Sequence, residues 1–258
     1  MIAVVDYQKG NLKSVERGLI AAGGEALITA DASEIARAGA IVLPGVGAFA
    51  DAAATMCELG QMEAIRDRVR AGIPFLGICL GEHLMFEHGV EGAPEGNPAC
   101  GLGLLPGTVV AMPRCDAQGK TFKVPHVGWN TIEMPSCNGG AAVPPCVGVG
   151  GNAVLKQSSL RSENAGGAFP DSTPQPGSDL AFACPLFNGI APGEYFYFTH
   201  SFIAPTGSHT IAETTHSTRF TSAVQYGDRA FGVQFHPEKS SDAGARVLAN
   251  FVAIVARG

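Results

Sequence analysis

The sequence predicts an α/β fold in which a mostly parallel central sheet is flanked by helices and antiparallel strands are added in the C-terminal half. Up to Cys79, short apolar runs alternate with segments of helical period, the rhythm of strand–helix–strand crossovers around a sheet covered on both faces. From about Leu104 onward, strand-like runs follow one another across short turns, the pattern of hairpins. The last strongly apolar helical pattern is Ser241–Ala256.

Ile2–Val5 is a short apolar strand, and a turn containing Gly10 leads into a helix with Leu12, Val15 and Leu19 on one face. Gly23-Gly24 ends that helix, and Ala26–Thr29 resumes as a strand. Ala40–Leu43 is the next strand, closed by Pro44-Gly45-Val46-Gly47, and helical patterns cover roughly Phe49–Cys57 and Gln61–Ala71. Pro74–Ile78 reads as a buried strand, with a helix beginning just after Cys79. In the second half, Leu104–Met112, Glu194–Ala204, His209–Thr214, Phe220–Gln225 and Phe231–Phe235 read as strands forming hairpins on one edge of the parallel sheet. Between about 135 and 185 the pattern fails and Gly, Pro, Ser and Asn dominate. This reads as an irregular insertion in a single domain spanning 1–258; the alternative is an ordinary set of short strands in which Ala153-Val154-Leu155 pairs.

With 46% hydrophobic and 16% charged residues in a chain of 258, a sizeable core is expected and disorder throughout is excluded. A net charge of −6 and the lack of a basic run argue against nucleic-acid binding. The first residues run from Ile2 into Asp6 and Lys9 without a basic leader, and no apolar stretch reaches the roughly 20 residues that cross a bilayer, so a cytoplasmic location is expected. The seven cysteines are odd in number, scattered and free of C-x-x-C pairs, which suits a reducing compartment and argues against a structural zinc site.

Gly77-Ile78-Cys79-Leu80-Gly81 has the G-x-nucleophile-x-G form of a strand-to-helix elbow, with cysteine as nucleophile. Cys79 would then project from the C-terminal edge of the sheet, where open α/β sheets bind ligands, and the Leu80 N–H and the helix start would favour a thiolate and an oxyanion. Taken alone, the pentapeptide fits a small buried cysteine equally well.

A cysteine nucleophile needs a base that accepts its proton and returns it to the leaving group. His236, at the end of the apolar run Val233-Gln234-Phe235, is followed by Pro237 and Glu238, so a carboxylate two residues on can fix the imidazole tautomer. Alone, His-Pro-Glu is a common surface turn; its pairing with an elbow cysteine makes it a catalytic candidate. His200 reads as a packed strand-end residue, and His209 and His216 as polar strand residues. The loop Pro44–Phe49 carries two glycines that allow close backbone approach, so an N–H from Gly45, Val46 or Gly47 can join that of Leu80 in an oxyanion hole; a plain βα turn is the alternative. The Walker-A phosphate pattern is absent.

Together, the glycine-rich loop, G-x-C-x-G and the late H-P-E resemble the class I, or triad, glutamine amidotransferases. Further segments resemble in particular the glutamine amidotransferase subunits of imidazole glycerol phosphate synthases: Val5-Asp6-Tyr7 with Gly10-Asn11-Leu12, Pro44–Phe49, Pro125–Asn130, Tyr197–Phe202 and Gly232–Ser240. The resemblance implies that Cys79 attacks the glutamine carboxamide, His236 protonates departing ammonia, Glu238 orients His236, and water hydrolyses the thioester. It implies substrate contacts at Glu91, Ser201 and Phe202, and at the position of His83, where the family usually has glutamine. It implies a (β/α)8-barrel cyclase partner, met at Asn11, Trp129, Tyr197 and Lys239, in which ammonia reacts with a phosphorylated formimino carboxamide ribonucleotide during histidine biosynthesis. No metal or organic cofactor is implied, and the lone subunit is expected to have little activity until its partner binds. A class I subunit serving another pathway, or a regulatory subunit that has lost activity, is the alternative. The α/β-hydrolase reading of the elbow expects its acid well before the histidine, whereas here the acid follows it.

Overall fold

A computed structural model of the chain describes residues 1–135 and 182–257. The expected insertion therefore lies, from 136 to 181, outside the described residues.

The first half forms as its periodicity dictates. Strand β1 (Ile2–Val5) is followed by α1 (Leu12–Ala21), β2 (Ala26–Thr29), α2 (Ala32–Arg37), β3 (Ala40–Gly45), α3 (Phe49–Glu58), α4 (Gln61–Arg70) and β4 (Phe75–Cys79). In β1, Ile2 and Val4 enter one core while Ala3 and Val5 enter the other, because successive side chains point to opposite faces. Val15 and Leu19 of α1 cover the first face; Ile35 of α2, Phe49 and Met56 of α3 and Ile65 of α4 cover the second. The helix α2 has a capping signal, with Asp31 accepting from the Ser33 N–H at 2.7 Å, yet it is only six residues long, too short for a periodic pattern to stand out.

The helix expected after Cys79 is a single turn, α5 (Leu80–His83). The chain then turns into β5 (Phe86–Gly89), β6 (Ala99–Cys100) and β7 (Leu105–Ala111), and later β8 (His126–Thr131). Beyond a 3-10 turn at Pro185–Phe187 come β9 (Tyr195–His200), β10 (Phe202–Ile203), β11 (Thr210–Thr215), β12 (Arg219–Tyr226) and β13 (Ala230–Val233). A second 3-10 turn, Pro237–Lys239, precedes α6 (Ser241–Ala256), whose Val247, Leu248 and Phe251 close the core under α1.

Seven strands form the main sheet in the order β11-β12-β13-β4-β3-β1-β2. The pairs from β2 to β13 are parallel, while β12 and β11 are antiparallel additions at the edge. Only part of the second half joins this edge, contrary to the expectation. β7 pairs with β5 and β10 in a separate four-stranded sheet, and β9 pairs with β8 in a two-stranded ribbon. The run expected over Glu194–Ala204 is thus split at Ser201, whose carbonyl turns to accept from Met112 N–H at 2.9 Å. Sequence alternation shows that a strand has a buried face, but not which neighbour it pairs with.

Candidate active site

Parallel register brings the site together. Gly45 at the end of β3 lies beside Cys79 at the end of β4, and Val233 of β13 lies beside Ile78. The C-terminal ends of β3, β4 and β13 therefore converge, as at the ligand-binding edge of open α/β sheets.

Cys79 has φ 55° and ψ −107°, a left-handed conformation that a non-glycine residue adopts only where its surroundings impose it. Those surroundings are tight: a Cβ on Gly77 would run into the backbone of Gly81, and one on Gly81 into the carbonyl of Leu43. The elbow thus needs both glycines for close approach. The sulfur is buried and lies 3.9 Å from the carbonyl oxygen of Thr199 and 3.7 Å from Nε2 of Gln234. With only four residues in α5, the aligned dipole that a longer helix would aim at the sulfur is largely missing, and the local N–H groups carry that role.

His236 and Glu238 are both buried, and the ring nitrogen Nδ1 donates to Glu238 Oε1 at 2.9 Å. A carboxylate can only accept, so Nδ1 carries a proton. Nε2 is buried, and Cys79 is the side chain other than Glu238 that acts on the ring. Burial alone would lower the imidazole pKa, but Cys79 and Glu238 outweigh it and raise it to about 9. Burial would raise the Glu238 carboxyl, yet the imidazole beside it holds it below its ordinary value. Asn11 Nδ2 adds a donor to the same oxygen at 3.4 Å. The turn is pinned to the ribbon, since His236 N–H donates to Tyr197 O at 2.9 Å and Tyr197 N–H to Ser240 Oγ at 3.0 Å.

A cavity of about 400 Å³ opens in front of Cys79, lined in part by Val46, Gly47, Leu80, His83 and Glu91. Ser201 and Phe202 close its far side. All four expected substrate-contact positions therefore face one space with the sulfur. Of the expected oxyanion loop, Val46 and Gly47 line the cavity, the latter at φ 100°, whereas Gly45 stays inside β3. Partial burial raises the Glu91 carboxyl above its ordinary value, with Asp51 adding to it.

Of the residues placed at the partner face, Trp129 is 53% exposed. Lys239 Nζ lies 5.9 Å from the centre of the Tyr197 ring. Asn11 differs, because it reaches Glu238 as well as the surface.

The strand expected over Phe231–Phe235 ends at Val233, so Gln234 and His236 lie in the segment beyond it, and no motif singled out Gln234. Glu82 was also missed: it is fully buried, neither oxygen has a partner among the described residues, and burial, with Cys79 nearby, pushes its carboxyl well above the usual range. Its position just after the elbow motif held no signal of burial.

The family described as glutamine amidotransferase class-I matches residues 3–255. The imidazole glycerol phosphate synthase subunit HisH of Moorella thermoacetica is 37% identical over 256 residues, 98% of this chain and 95% of that protein. The HisH subunit of Rhodopirellula baltica is 37% identical over 253 residues, 97% of this chain and 96% of that protein. Among solved structures, a glutamine amidotransferase superposes with a TM-score of 0.60 at 16% identity, covering 99% of this chain and all of that one, a likeness of fold. A match that takes in the elbow, the loop before it and the late histidine within one continuous span means that this chain belongs to the class-I glutamine amidotransferase family.

Proposed function

We propose that this chain is the glutaminase subunit of an imidazole glycerol phosphate synthase, hydrolysing glutamine to glutamate and ammonia and passing the ammonia to a (β/α)8-barrel cyclase subunit in histidine biosynthesis. The observation that carries this reading is the buried His236–Glu238 pair just beyond β13, with the strained Cys79 close enough to raise the imidazole pKa. Full-length relatives named as HisH subunits supply the reaction class.

In this mechanism the Cys79 sulfur attacks the carboxamide carbon, and the thiol proton resides on His236. Charge develops on the carboxamide oxygen, where N–H groups of Leu80 and the Val46–Gly47 loop stabilise it. His236 gives its proton to the departing nitrogen, releasing ammonia and leaving a thioester. His236 then takes a proton from water, which attacks the thioester, releasing glutamate and the thiol. Glu238 keeps the ring in one tautomer and offsets its charge throughout. Glu91, Ser201 and Phe202 hold the amino-acid end of the substrate, and His83 takes the place of the family's usual glutamine.

The partner fits the face of the ribbon. Val127 and Trp129 of β8 and Tyr195 of β9 are all more than half exposed, and Lys239 stands beside Tyr197, a concentration of apolar and aromatic surface that a docked subunit would cover. A cytoplasmic setting suits this biosynthetic role, and no helix among the described residues is long and apolar enough to cross a membrane. The test is glutamate release by the full chain mixed with the barrel cyclase and its nucleotide substrate. Turnover should fall at least ~10³-fold in Cys79→Ala. Retained turnover in that variant would end the reading.

A further inference from the structure

Gln234 is a fully buried polar residue with no part in the hydrolytic steps above. It continues β13 one residue past Val233, which pairs with Ile78, so its side chain comes up beside Cys79. Its own N–H donates to Ser222 O at 3.0 Å, which fixes the main chain. The side-chain amide has two neighbours: Oε1 lies 2.7 Å from His83 Nε2, and Nε2 lies 3.7 Å from the Cys79 sulfur.

The polarity of this chain of contacts follows from its ends. Burial holds His83 neutral, its pKa lowered to about 4. An amide oxygen only accepts, so the His83 proton must sit on Nε2. With Oε1 engaged there, the amide N–H faces sulfur. The reverse orientation would aim a carbonyl oxygen at sulfur, which suits a thiol and repels a thiolate. The Thr199 carbonyl, 3.9 Å away, can accept only from the thiol, and loses that role once the proton has moved to His236.

We propose that Gln234, oriented by His83, is a positioning residue that donates a hydrogen bond to the Cys79 thiolate and holds the nucleophile independently of His236. This rests on the reading of Cys79 as nucleophile. The titratable groups that act on the sulfur come from three elements: Tyr7 after β1, Glu82 in α5 and His236 after β13. Burial keeps Tyr7 and Glu82 uncharged, so neither repels the thiolate. Glutamine and neutral histidine can both donate to an amide oxygen, so the relay would also work with glutamine at position 83.

The test is alkylation of the full chain by iodoacetamide, followed on the Cys79 peptide by mass spectrometry. A hydrogen bond to a charged group gives an expected slowing of about tenfold for Gln234→Leu at pH 7, and none on the alkaline plateau of the pH–rate profile. His83→Leu should slow the reaction about threefold, His83→Gln should match the parent chain, and the double variant His83→Leu/Gln234→Leu should match Gln234→Leu alone, because one acts through the other. A parent-like rate for Gln234→Leu, a slowing that persists on the alkaline plateau, or losses that multiply would each overturn the proposal. Circular dichroism checks folding. If Gln234→Leu does not fold, equal rates for His83→Leu and His83→Gln overturn it instead. Glutamate release by Cys79→Ala in the complex separates the two readings. Its survival removes the nucleophile itself, whereas its loss beside an unaffected Gln234→Leu removes only the relay.

Discussion

The strands that carry Cys79 and those that pin His236 in place are stabilised by different means. β1, β3 and β4 are apolar on both faces and are packed between helix layers, with Val4, Val42, Leu76 and Ile78 in one core and Val5, Ile41, Leu43 and Phe75 in the other. The ribbon β8–β9 instead encloses imidazoles. Phe202 O accepts from His200 Nδ1 at 2.8 Å, so His200 Nε2 is left to accept from His126 Nδ1 at 3.0 Å, and His126 Nε2 in turn accepts from Asn130 at 3.2 Å. Burial lowers the pKa of His126 to about 4 and that of His200 well below the ordinary value, so both are neutral links. His216 stacks on His126 with ring centres 4.2 Å apart. The apolar half fixes where Cys79 stands by close packing, and the polar half holds its side chains by directed hydrogen bonds. Packing tolerates little added volume, while a hydrogen-bonded interior depends on pH.

The largest expected effect tests the polar side. Glu238→Gln keeps the shape but leaves the ring's tautomer unsettled, so turnover in the complex should fall ~10³–10⁴-fold. A loss below tenfold would mean that the carboxylate has no orienting role. Gly81→Ala tests the packed side: with the Leu43 carbonyl in the way, it should cost more than about 3 kcal/mol in urea unfolding. Gly23→Ala, where nothing lies within 4 Å, should cost about 1 kcal/mol from its φ of +85° alone. Equal costs would remove the case for close approach at the elbow.

Acid should then separate the halves. The folded pKa values of His83 and His126 lie below the unfolded value, so as pH falls from about 6.5 toward 4 the unfolded chain takes up protons first and stability is lost. Each contributes about 2 kcal/mol across that window, and His83→Gln should lose about that much less between pH 7 and pH 4.5. The same loss in both chains would show that His83 is not held neutral. Glu82 behaves in the opposite sense. Its folded pKa is raised, so above the unfolded value the unfolded chain ionises first, and neutral pH works against the fold. Glu82→Met, which fills the same space without an unpaired acid, should stabilise the chain by about 1–2 kcal/mol at pH 7 and by less at pH 4.

Much of this was legible in the sequence where physical periodicity was strong. The strand at Ile2–Val5, the helix with Val15 and Leu19, the strand at Ala26–Thr29 and the helix Ser241–Ala256 all stand where their apolar spacing puts them. The elbow glycines, His236 with Glu238, and the cavity positions Glu91, Ser201 and Phe202 were likewise readable, the last three through family resemblance. The short elements were not: α2 is too brief for a period, and α5 ends after one turn because the chain enters β5. Gln234 was legible only as a polar residue two places before His236, since its meeting with His83 and Cys79 joins segments far apart in the chain.

The sequence by itself determined the layered α/β class, a cysteine between close-packed glycines at a strand end, and a histidine two residues before a glutamate, because these depend on spacing within one short segment. Only the tertiary structure decided that β13 lies parallel beside β4, that β7 and β9 leave the main sheet, and that His83 meets Gln234. Pairing and hydrogen-bond polarity arise between segments far apart in the chain, and alternation along a strand says which face is buried without saying what it is buried against.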